Sequence, residues 1–209
     1  MTYVKICGVT SVEDALLAAS AGADAIGLNF VPTSKRVIDL ATAAHIADAV
    51  GDRVELIAVV ANRSAPELEE LRAATGVDLL QLHGFESPGE LELLLPHAFK
   101  AVAIANAGDA ERAAEYGGTR LLVDAKVEGE LGGTGQRFDW SLAEPLAKGR
   151  DLIVAGGLTP DNVVSALRAL RPFGVDVASG VETKQNPRAK DAARVHAFVA
   201  AVRAFDASP

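Results

Sequence analysis

One aspartate and the only cysteine of the chain stand at the ends of strand-like segments, where their side chains could take part in catalysis. Asp124 ends the apolar run 121–123, and a carboxyl group whose pKa is raised by partial burial is a reasonable proton donor. Cys7 ends the run that begins at Tyr3, and because strand side chains alternate, it shares a face with Lys5. Each residue also has a structural interpretation: Cys7 as a small buried hydrophobe, and Asp124 as a cap for the following loop.

The segment that follows Asp124 is rich in glycine. Four glycines and Thr134 occupy the range 129–135, a composition typical of flexible loops that close over ligands. The sequence therefore predicts a loop that covers the candidate proton donor.

Two turns near the C-terminus contain glycine and are candidates for phosphate binding. Gly156 and Gly157 follow one strand-like run, and Ser179 and Gly180 follow the next. Glycine lets backbone amides approach phosphate oxygens closely, and barrel enzymes often bind phosphate in these two loops. A single Gly-Gly pair is usually only a turn, so the prediction depends on the two turns occurring together.

Arg36 and His83 are the remaining candidates for contacts with a ligand. The Arg36 guanidinium could bind a carboxylate through two hydrogen bonds, or it could be a solvated loop charge. His83 follows a strand-like run and is expected to line the same site. His45, His97 and His196 have no ligand spacing with one another, so the sequence predicts no metal site.

These residues would be positioned by eight strand-like runs that alternate with Ala- and Leu-rich helical segments. The runs begin near Tyr3, Ala25, Glu55, Leu79, Ala98, Arg120, Leu152 and Gly174. The alternation predicts either a closed (β/α)8 barrel of parallel strands or an open doubly wound sheet, and the even spacing favours the barrel. The 209 residues fit a single barrel domain spanning 1–209. Its two longest loops would carry Arg36 and the glycine-rich segment on the face where barrels place active sites.

Several helix ends are also predicted. Ser11, Ser64, Ser87 and Thr159 are expected to begin the first, third, fourth and seventh helices. Gly51 and Gly76 are expected to end the second and third.

Composition excludes several classes of function. The net charge of −8 and the pI near 5.0 argue against general binding of nucleic acid or of anionic membranes. A single cysteine rules out an intramolecular disulfide framework, and a free thiol fits a reducing compartment. The chain has no long apolar run and opens with a strand-like segment rather than a signal peptide. We therefore expect a cytoplasmic protein.

The segments that contain these residues closely resemble the phosphoribosylanthranilate isomerase family. They are Lys5-Ile6-Cys7-Gly8, Gln81-Leu82-His83-Gly84, Leu122-Val123-Asp124-Ala125, Gly132-Gly133-Thr134-Gly135, Phe138-Asp139-Trp140, Ala155-Gly156-Gly157-Leu158 and Ser179-Gly180-Val181-Glu182. The resemblance covers nearly the whole chain and implies a single (β/α)8 barrel. It also implies an aldose-to-ketose isomerisation in tryptophan biosynthesis that needs neither a metal nor an organic cofactor. The partner it implies is a phosphorylated small molecule, and the protein could be a monomer or a homodimer.

The resemblance also implies a role for each candidate residue. Asp124 would be the general acid that opens the sugar ring, and Cys7 would be the general base that removes the C2′ proton. Arg36 would hold the anthranilate carboxylate. The two glycine turns would hold the phosphate. Cys7 would work best with a lowered pKa, for which Lys5 is the candidate cause unless Asp176 neutralises it.

Two positions depart from the family pattern. Val37 stands where the family usually has an aromatic residue, which puts stacking against the anthranilate ring in doubt. Arg188, in the segment 187–191, stands where a glycine is common. A dual-substrate isomerase that also serves histidine biosynthesis is the alternative within enzymes, and Cys7 argues against it because such barrels generally have Asp there. A barrel kept only for binding a partner is the alternative outside enzymes, and the presence of both Cys7 and Asp124 argues against it.

Overall fold

Eight parallel strands close into a barrel in the structure, a computed structural model that describes residues 1–124 and 142–208. The strands are β1 (Tyr3–Cys7), β2 (Ala25–Asn29), β3 (Glu55–Val60), β4 (Leu79–Leu82), β5 (Ala98–Ala103), β6 (Arg120–Asp124), β7 (Asp151–Ala155) and β8 (Gly174–Val177). Each strand pairs with the next, and β8 pairs with β1. The closed barrel is therefore confirmed and the open doubly wound sheet is excluded. Every strand begins where the sequence predicts except β7, which begins one residue earlier.

A helix follows each strand along the chain. The helices are α1 (Val12–Ser20), α2 (Leu40–Val50), α3 (Ala65–Thr75), α4 (Pro88–Glu92), α5 (Ala107–Ala114), α6 (Glu144–Ala147), α7 (Val163–Leu170) and α8 (Ala192–Asp206). Short 3-10 helices cover Gly51–Arg53 and Ser179–Val181. Among residues 1–124 and 142–208, no helix combines the length and the hydropathy that a membrane crossing requires.

Most of the predicted helix ends are confirmed. The Ser11 side chain accepts the amide of the first turn of α1, and Ser64 and Ser87 form capping boxes at α3 and α4. Gly51 and Gly76 cap the C-termini of α2 and α3, where Gly76 adopts the left-handed conformation at a φ of 67°. Each cap satisfies backbone groups that the helix cannot pair internally.

The predicted start of the seventh helix is wrong. The chain first makes a turn in which the Asn162 side chain accepts a hydrogen bond from the Thr159 amide at 2.7 Å. Asn162 takes the capping position, and α7 begins at Val163. The Thr159 carbonyl accepts the Val163 amide at 3.1 Å, so the turn leads directly into α7.

The interior of the barrel is apolar in its middle and polar at both ends. Its apolar layer contains Ala25, Ile57, Phe99, Ala101, Leu122, Ile153 and Ala155. The larger core lies between the barrel and the helices and contains residues such as Ile6, Leu28 and Phe198. We call the end formed by the C-terminal ends of the strands the mouth, and the opposite end the base. The layer between them separates a polar cluster at the mouth from another at the base.

Candidate active site

Lys5 and Cys7 both point into the barrel from β1, as the strand alternation predicts. The Lys5 ammonium is fully buried and lies 2.8 Å from a carboxylate oxygen of Asp176, which faces it from β8. Cys7 is one layer closer to the mouth and its residue is partly exposed. The only thiol of the chain therefore lies at the mouth, above a buried ion pair.

The charge around Cys7 does not lower the pKa of its thiol. Burial of the sulfur raises this pKa, and the Asp176 carboxylate raises it further. Lys5 and Lys190 act in the opposite direction without reversing the shift. Lys5 therefore acts in the expected direction, but the low pKa itself is not found, because burial outweighs Lys5 and Asp176, which pairs with the ammonium, opposes it as the sequence left open.

Gly27 is a residue of this site that the sequence analysis did not identify. A Cβ atom at this position of β2 would lie 2.7 Å from Cys7 Sγ and 2.8 Å from Lys5 Nζ. Only glycine leaves room for both side chains. A glycine within a strand-like run often indicates such a close approach, and this signal could have identified Gly27.

Asp124 is the last residue of β6 and is half-buried at the mouth. In register it lies beside Ala103 of β5 and Ala155 of β7, so neither flanking strand places a long side chain beside it in register. On one side, β7 and β8 separate it from Cys7. The glycine-rich loop 129–135 and the Phe138-Asp139-Trp140 segment lie outside the described residues.

His83 follows β4 and lies at the rim of the mouth, as the sequence predicts. The residue as a whole is exposed, but its Nδ1 edge faces inwards and lies 3.2 Å from Nε2 of Gln81. Desolvation on that side lowers the pKa of the ring; the charge of Asp124 opposes this shift, and the positive charges of Lys100 and Lys5 add to it. The imidazole is therefore neutral near pH 7, and with the Gln81 amide donating to Nδ1 it carries its proton on Nε2.

Arg36 extends from the loop between β2 and α2 towards Glu182. Its Nε donates to one oxygen of the Glu182 carboxylate, and its Nη2 donates to the other at 3.0 Å. The aliphatic part crosses Gly8, where a Cβ atom would lie only 2.2 Å from Arg36 Cδ. Arg36 therefore does bind a carboxylate through two hydrogen bonds in this structure, but that carboxylate belongs to the protein.

Lys190 and Asp14 complete this side of the mouth, and the sequence analysis did not assign either to the site. Lys190 Nζ donates to the carbonyl of Cys7 at 2.7 Å and lies 3.4 Å from the Glu182 carboxylate. The Asp14 carboxylate accepts the backbone amide of Lys190 at 3.0 Å. The signal for Lys190 was its place in the segment 187–191, which matches the family pattern apart from the missing glycine.

Arg188 connects this segment to the loop that carries Arg36. Its Nη1 donates to the carbonyls of Lys35 and Val37, both at 3.0 Å. The carbonyl of Arg188 accepts a hydrogen bond from the Thr10 hydroxyl at 2.6 Å. Hydrogen bonds of Arg188, the residue that departs from the family pattern, therefore connect three loops of the mouth: those that follow β1, β2 and β8.

The two glycine turns lie side by side at the ends of β7 and β8. Gly156 and Gly157 have positive φ angles of 98° and 62°, which glycine adopts without strain. Gly180 packs so tightly that a Cβ atom would lie 1.8 Å from the Leu158 carbonyl oxygen. Gly157 and Ser179 are exposed to the mouth. Their backbone amides donate no hydrogen bond to other described residues, which leaves them available to a ligand.

No group of three or more His, Cys, Asp or Glu side chains with metal-binding geometry occurs among residues 1–124 and 142–208. In the described part of the chain, the mouth contains the Cys7 thiol and the Asp124 carboxyl group at the end of β6. It also contains the cations of Arg36 and Lys190, and the backbone amides of Gly157 and Ser179. This arrangement can transfer protons and bind a doubly anionic molecule.

Comparisons with known proteins agree with this chemistry. The profile of a family described as N-(5′-phosphoribosyl)anthranilate (PRA) isomerase matches residues 4–201. An N-(5′-phosphoribosyl)anthranilate isomerase of Pseudomonas aeruginosa (strain LESB58) is 48% identical over 202 residues, which cover 96% of this chain and 94% of the relative.

Solved structures of the same family superimpose on the barrel. Monomers of the dimeric phosphoribosylanthranilate isomerase of Thermotoga maritima are 34% identical, with a TM-score of 0.84 over 98% of this chain and 100% of theirs. A phosphoribosylanthranilate isomerase in complex with reduced 1-(o-carboxyphenylamino)-1-deoxyribulose 5-phosphate is 35% identical. Its TM-score is 0.85 over 98% of this chain and 100% of that one.

Proposed function

Since the chain belongs to the phosphoribosylanthranilate isomerase family of tryptophan biosynthesis, we propose that it converts N-(5′-phosphoribosyl)anthranilate into 1-(2-carboxyphenylamino)-1-deoxyribulose 5-phosphate. The reaction is an Amadori rearrangement, in which an aldose derivative becomes a ketose derivative. The observation that carries the proposal is the placement of Cys7 and Asp124 at the ends of β1 and β6, on the same mouth.

In the first step Asp124 acts as the general acid. Its carboxyl group gives a proton to the furanose ring oxygen, the bond from that oxygen to C1′ breaks, and the anilino nitrogen lone pair forms a C1′–N double bond. The ring opens to a protonated Schiff base. The position of Asp124 at the tip of a barrel strand fits this role, because catalytic groups of barrel enzymes come from strand ends.

In the second step Cys7 acts as the general base. The thiolate takes the proton from C2′, and the electrons of that C–H bond form a C1′–C2′ double bond as the C1′–N electrons return to nitrogen. The resulting enolamine tautomerises to the ketone. Because the pKa of Cys7 is raised by burial and by Asp176, the reactive thiolate is the minor form at pH 7, and kcat/KM should increase as the pH rises.

The two anionic ends of the substrate would bind on either side of this chemistry. The phosphate would bind at the turns of Gly156, Gly157, Ser179 and Gly180, and the carboxylate would bind Arg36. His83 would line the opposite rim as a neutral hydrogen-bonding group. Binding at both ends fixes C1′ and C2′ between Asp124 and Cys7, which lowers the entropic cost of reaction.

The proposal is tested by assaying the purified protein with N-(5′-phosphoribosyl)anthranilate in the presence of EDTA. We expect turnover, and we expect Cys7→Ser and Asp124→Asn each to lower kcat by at least about 10²-fold, the usual contribution of general acid–base groups. Both variants should keep the thermal stability of the parent protein. Near-normal turnover in both would contradict the assigned roles, and failure of the gene to rescue a tryptophan auxotroph would contradict the activity itself.

A further inference from the structure

We propose that Glu182 is a positioning residue for substrate binding: it holds one edge of the Arg36 guanidinium, so that the other edge faces the carboxylate of the substrate. The inference rests on the proposed function, in which Arg36 binds that carboxylate. It assigns a purpose to an ion pair that would otherwise compete with the ligand.

The Arg36 guanidinium has one edge that Glu182 does not occupy. An arginine has two edges that can each bind a carboxylate with two hydrogen bonds, one formed by Nε and Nη2 and the other by Nη1 and Nη2. Glu182 occupies the Nε–Nη2 edge of Arg36. Nη1 makes no hydrogen bond to residues 1–124 or 142–208. The end of the guanidinium is therefore available to a second carboxylate.

The charges around the Arg36–Glu182 pair favour the binding of a further anion. Glu182 lies between two cations, since Lys190 is 3.4 Å from the oxygen that Arg36 Nε contacts. Burial raises the pKa of Glu182, but hydrogen bonds and charge from Arg36 and Lys190 outweigh burial and lower it. The carboxylate is thus ionised. Burial lowers the pKa of Lys190 while Glu182 opposes that shift, and with both cations charged the cluster of Arg36, Glu182 and Lys190 has a net charge of +1. A substrate carboxylate would neutralise that charge.

Contacts with Gly8 and Glu182 restrict the Arg36 side chain before a ligand binds. Its side chain comes from an irregular loop, and a long flexible side chain loses conformational freedom when it binds a ligand. Gly8 lies against its aliphatic part and Glu182 holds its head group, so much of that freedom is already lost before the substrate arrives. Lys190 in turn fixes Glu182 and donates to the Cys7 carbonyl. The arrangement connects the carboxylate site to the strand that carries the base.

A competing role for Glu182 makes the opposite prediction. If Glu182 occupied Arg36 in place of the substrate, its removal would strengthen binding, because an anion would be lost from the site. If Glu182 positions Arg36, its removal weakens binding despite the gain in positive charge. The direction of the change in KM therefore distinguishes the two roles.

The experiment is a double-mutant cycle on KM and kcat with Arg36→Ala, Glu182→Gln and the double variant. We expect Glu182→Gln to raise KM by about 10-fold with little change in kcat, because a uniform binding contact is lost. In the Arg36→Ala background the same substitution should have no further effect, since residues that act through one another are not additive. A lowered KM, or additive effects, would overturn the inference.

Two further measurements keep the test decisive. Glu182→Asp retains the charge but shortens the side chain, so it should also raise KM if Glu182→Gln fails to fold. Binding of two ligands is measured by titration calorimetry: reduced 1-(o-carboxyphenylamino)-1-deoxyribulose 5-phosphate, and the same compound with a phenylamino group that lacks the carboxylate. Glu182→Gln should weaken binding of the first ligand and leave binding of the second unchanged. Equal weakening of both ligands would overturn the inference.

Glu55→Gln serves as the matched control. It removes a glutamate that also pairs with an arginine, Arg120, but at the base of the barrel. Its KM should equal that of the parent protein. If Arg36→Ala leaves KM unchanged, the proposed role of Arg36 fails. If Arg36→Ala raises KM and Glu182→Gln does not, the inference about Glu182 fails alone.

Discussion

The two ends of the barrel each place an arginine against a glutamate, but in different surroundings. At the base, the Arg120 guanidinium lies 5.0 Å from the Tyr3 ring centre and 5.6 Å from that of Phe99, and its Nη1 is 2.6 Å from Glu55. At the mouth, the neighbours of the ion pair are Lys190, backbone carbonyls and a loop. At the base one arginine pairs with one glutamate beside aromatic rings, whereas at the mouth Arg36 and Lys190 share the Glu182 carboxylate.

The ion pair at the base contributes to the structure, whereas the ion pair at the mouth has positive charge available for a ligand. At the base the Arg120–Glu55 pair packs against the rings of Tyr3 and Phe99, and among the described residues no second cation shares the Glu55 carboxylate. An ion pair with an additional cation and an open guanidinium edge attracts an anion. Four sets of substitutions, from the largest expected effect to the smallest, separate these two uses.

The largest effect is expected from replacing one glycine at each end. Gly27→Ala places a Cβ atom 2.7 Å from Cys7 Sγ, so it should displace the thiol and lower kcat by about 10²-fold or more, as loss of a general base does. Gly174→Ala at the base places a Cβ atom 2.7 Å from the Tyr3 backbone oxygen. It should lower the free energy of unfolding by about 1–3 kcal/mol, the usual cost of overpacking.

Steady-state kinetics and urea unfolding of both variants check this pair. The outcome that contradicts the comparison is a Gly27→Ala protein with normal kcat, or a Gly174→Ala protein that is stable but inactive.

The second effect concerns the arginines themselves. Arg120→Met removes a cation whose partner Glu55 then keeps only the Tyr3 hydroxyl among the described residues. We expect a loss of about 1–3 kcal/mol in the free energy of unfolding with KM unchanged. Arg36→Met should do the reverse, because Lys190 still neutralises Glu182. Urea midpoints and KM values for the two variants give the answer, and a change in KM for Arg120→Met would remove the distinction between the two ends.

The parts of this arrangement that sequence could predict are those set by local rules. Strand alternation and the position at a strand end are sufficient to place Cys7 and Asp124 at the mouth, since each depends on a few adjacent residues. The pairing of Arg36 with Glu182 joins residues that are 146 positions apart, and the contact of Lys190 with the Cys7 carbonyl spans 183. No periodicity in one sequence specifies such contacts.

The direction of the pKa shift at Cys7 shows the same limit. Lys5 is two residues away in sequence, so a cation beside the thiol could be predicted. Whether that cation acts on Cys7 depends on burial and on Asp176, which β8 brings to the same layer.

The third effect is a change in pH dependence. The Asp176 carboxylate raises the pKa of Cys7 and pairs with Lys5. Asp176→Asn removes that negative charge and leaves the Lys5 ammonium without its partner, and both changes favour the thiolate. The acid limb of the kcat/KM profile should therefore move to lower pH. Profiles for the variant and the parent protein give the measurement, with Glu55→Gln as the control at the base. An acid limb that stays in place or moves to higher pH would contradict the assignment of that limb to Cys7.

The smallest effect is expected from Arg188, which has no counterpart at the base. Its Nη1 holds the carbonyls on either side of Arg36, so Arg188→Ala should loosen the loop and raise KM. The increase should be about 3-fold, since an exposed hydrogen bond contributes about 0.5–1 kcal/mol, and kcat should not change.

Two replacements sharpen the test of Arg188. Arg188→Lys should stay close to the parent protein, because both hydrogen bonds come from one nitrogen that an ammonium can replace. Arg188→Gly, which restores the residue common in the family, should behave like Arg188→Ala if the side chain matters only through this contact. A KM increase in Arg188→Lys as large as that in Arg188→Ala would show that the planar guanidinium, rather than a single donor, orders the loop that carries Arg36.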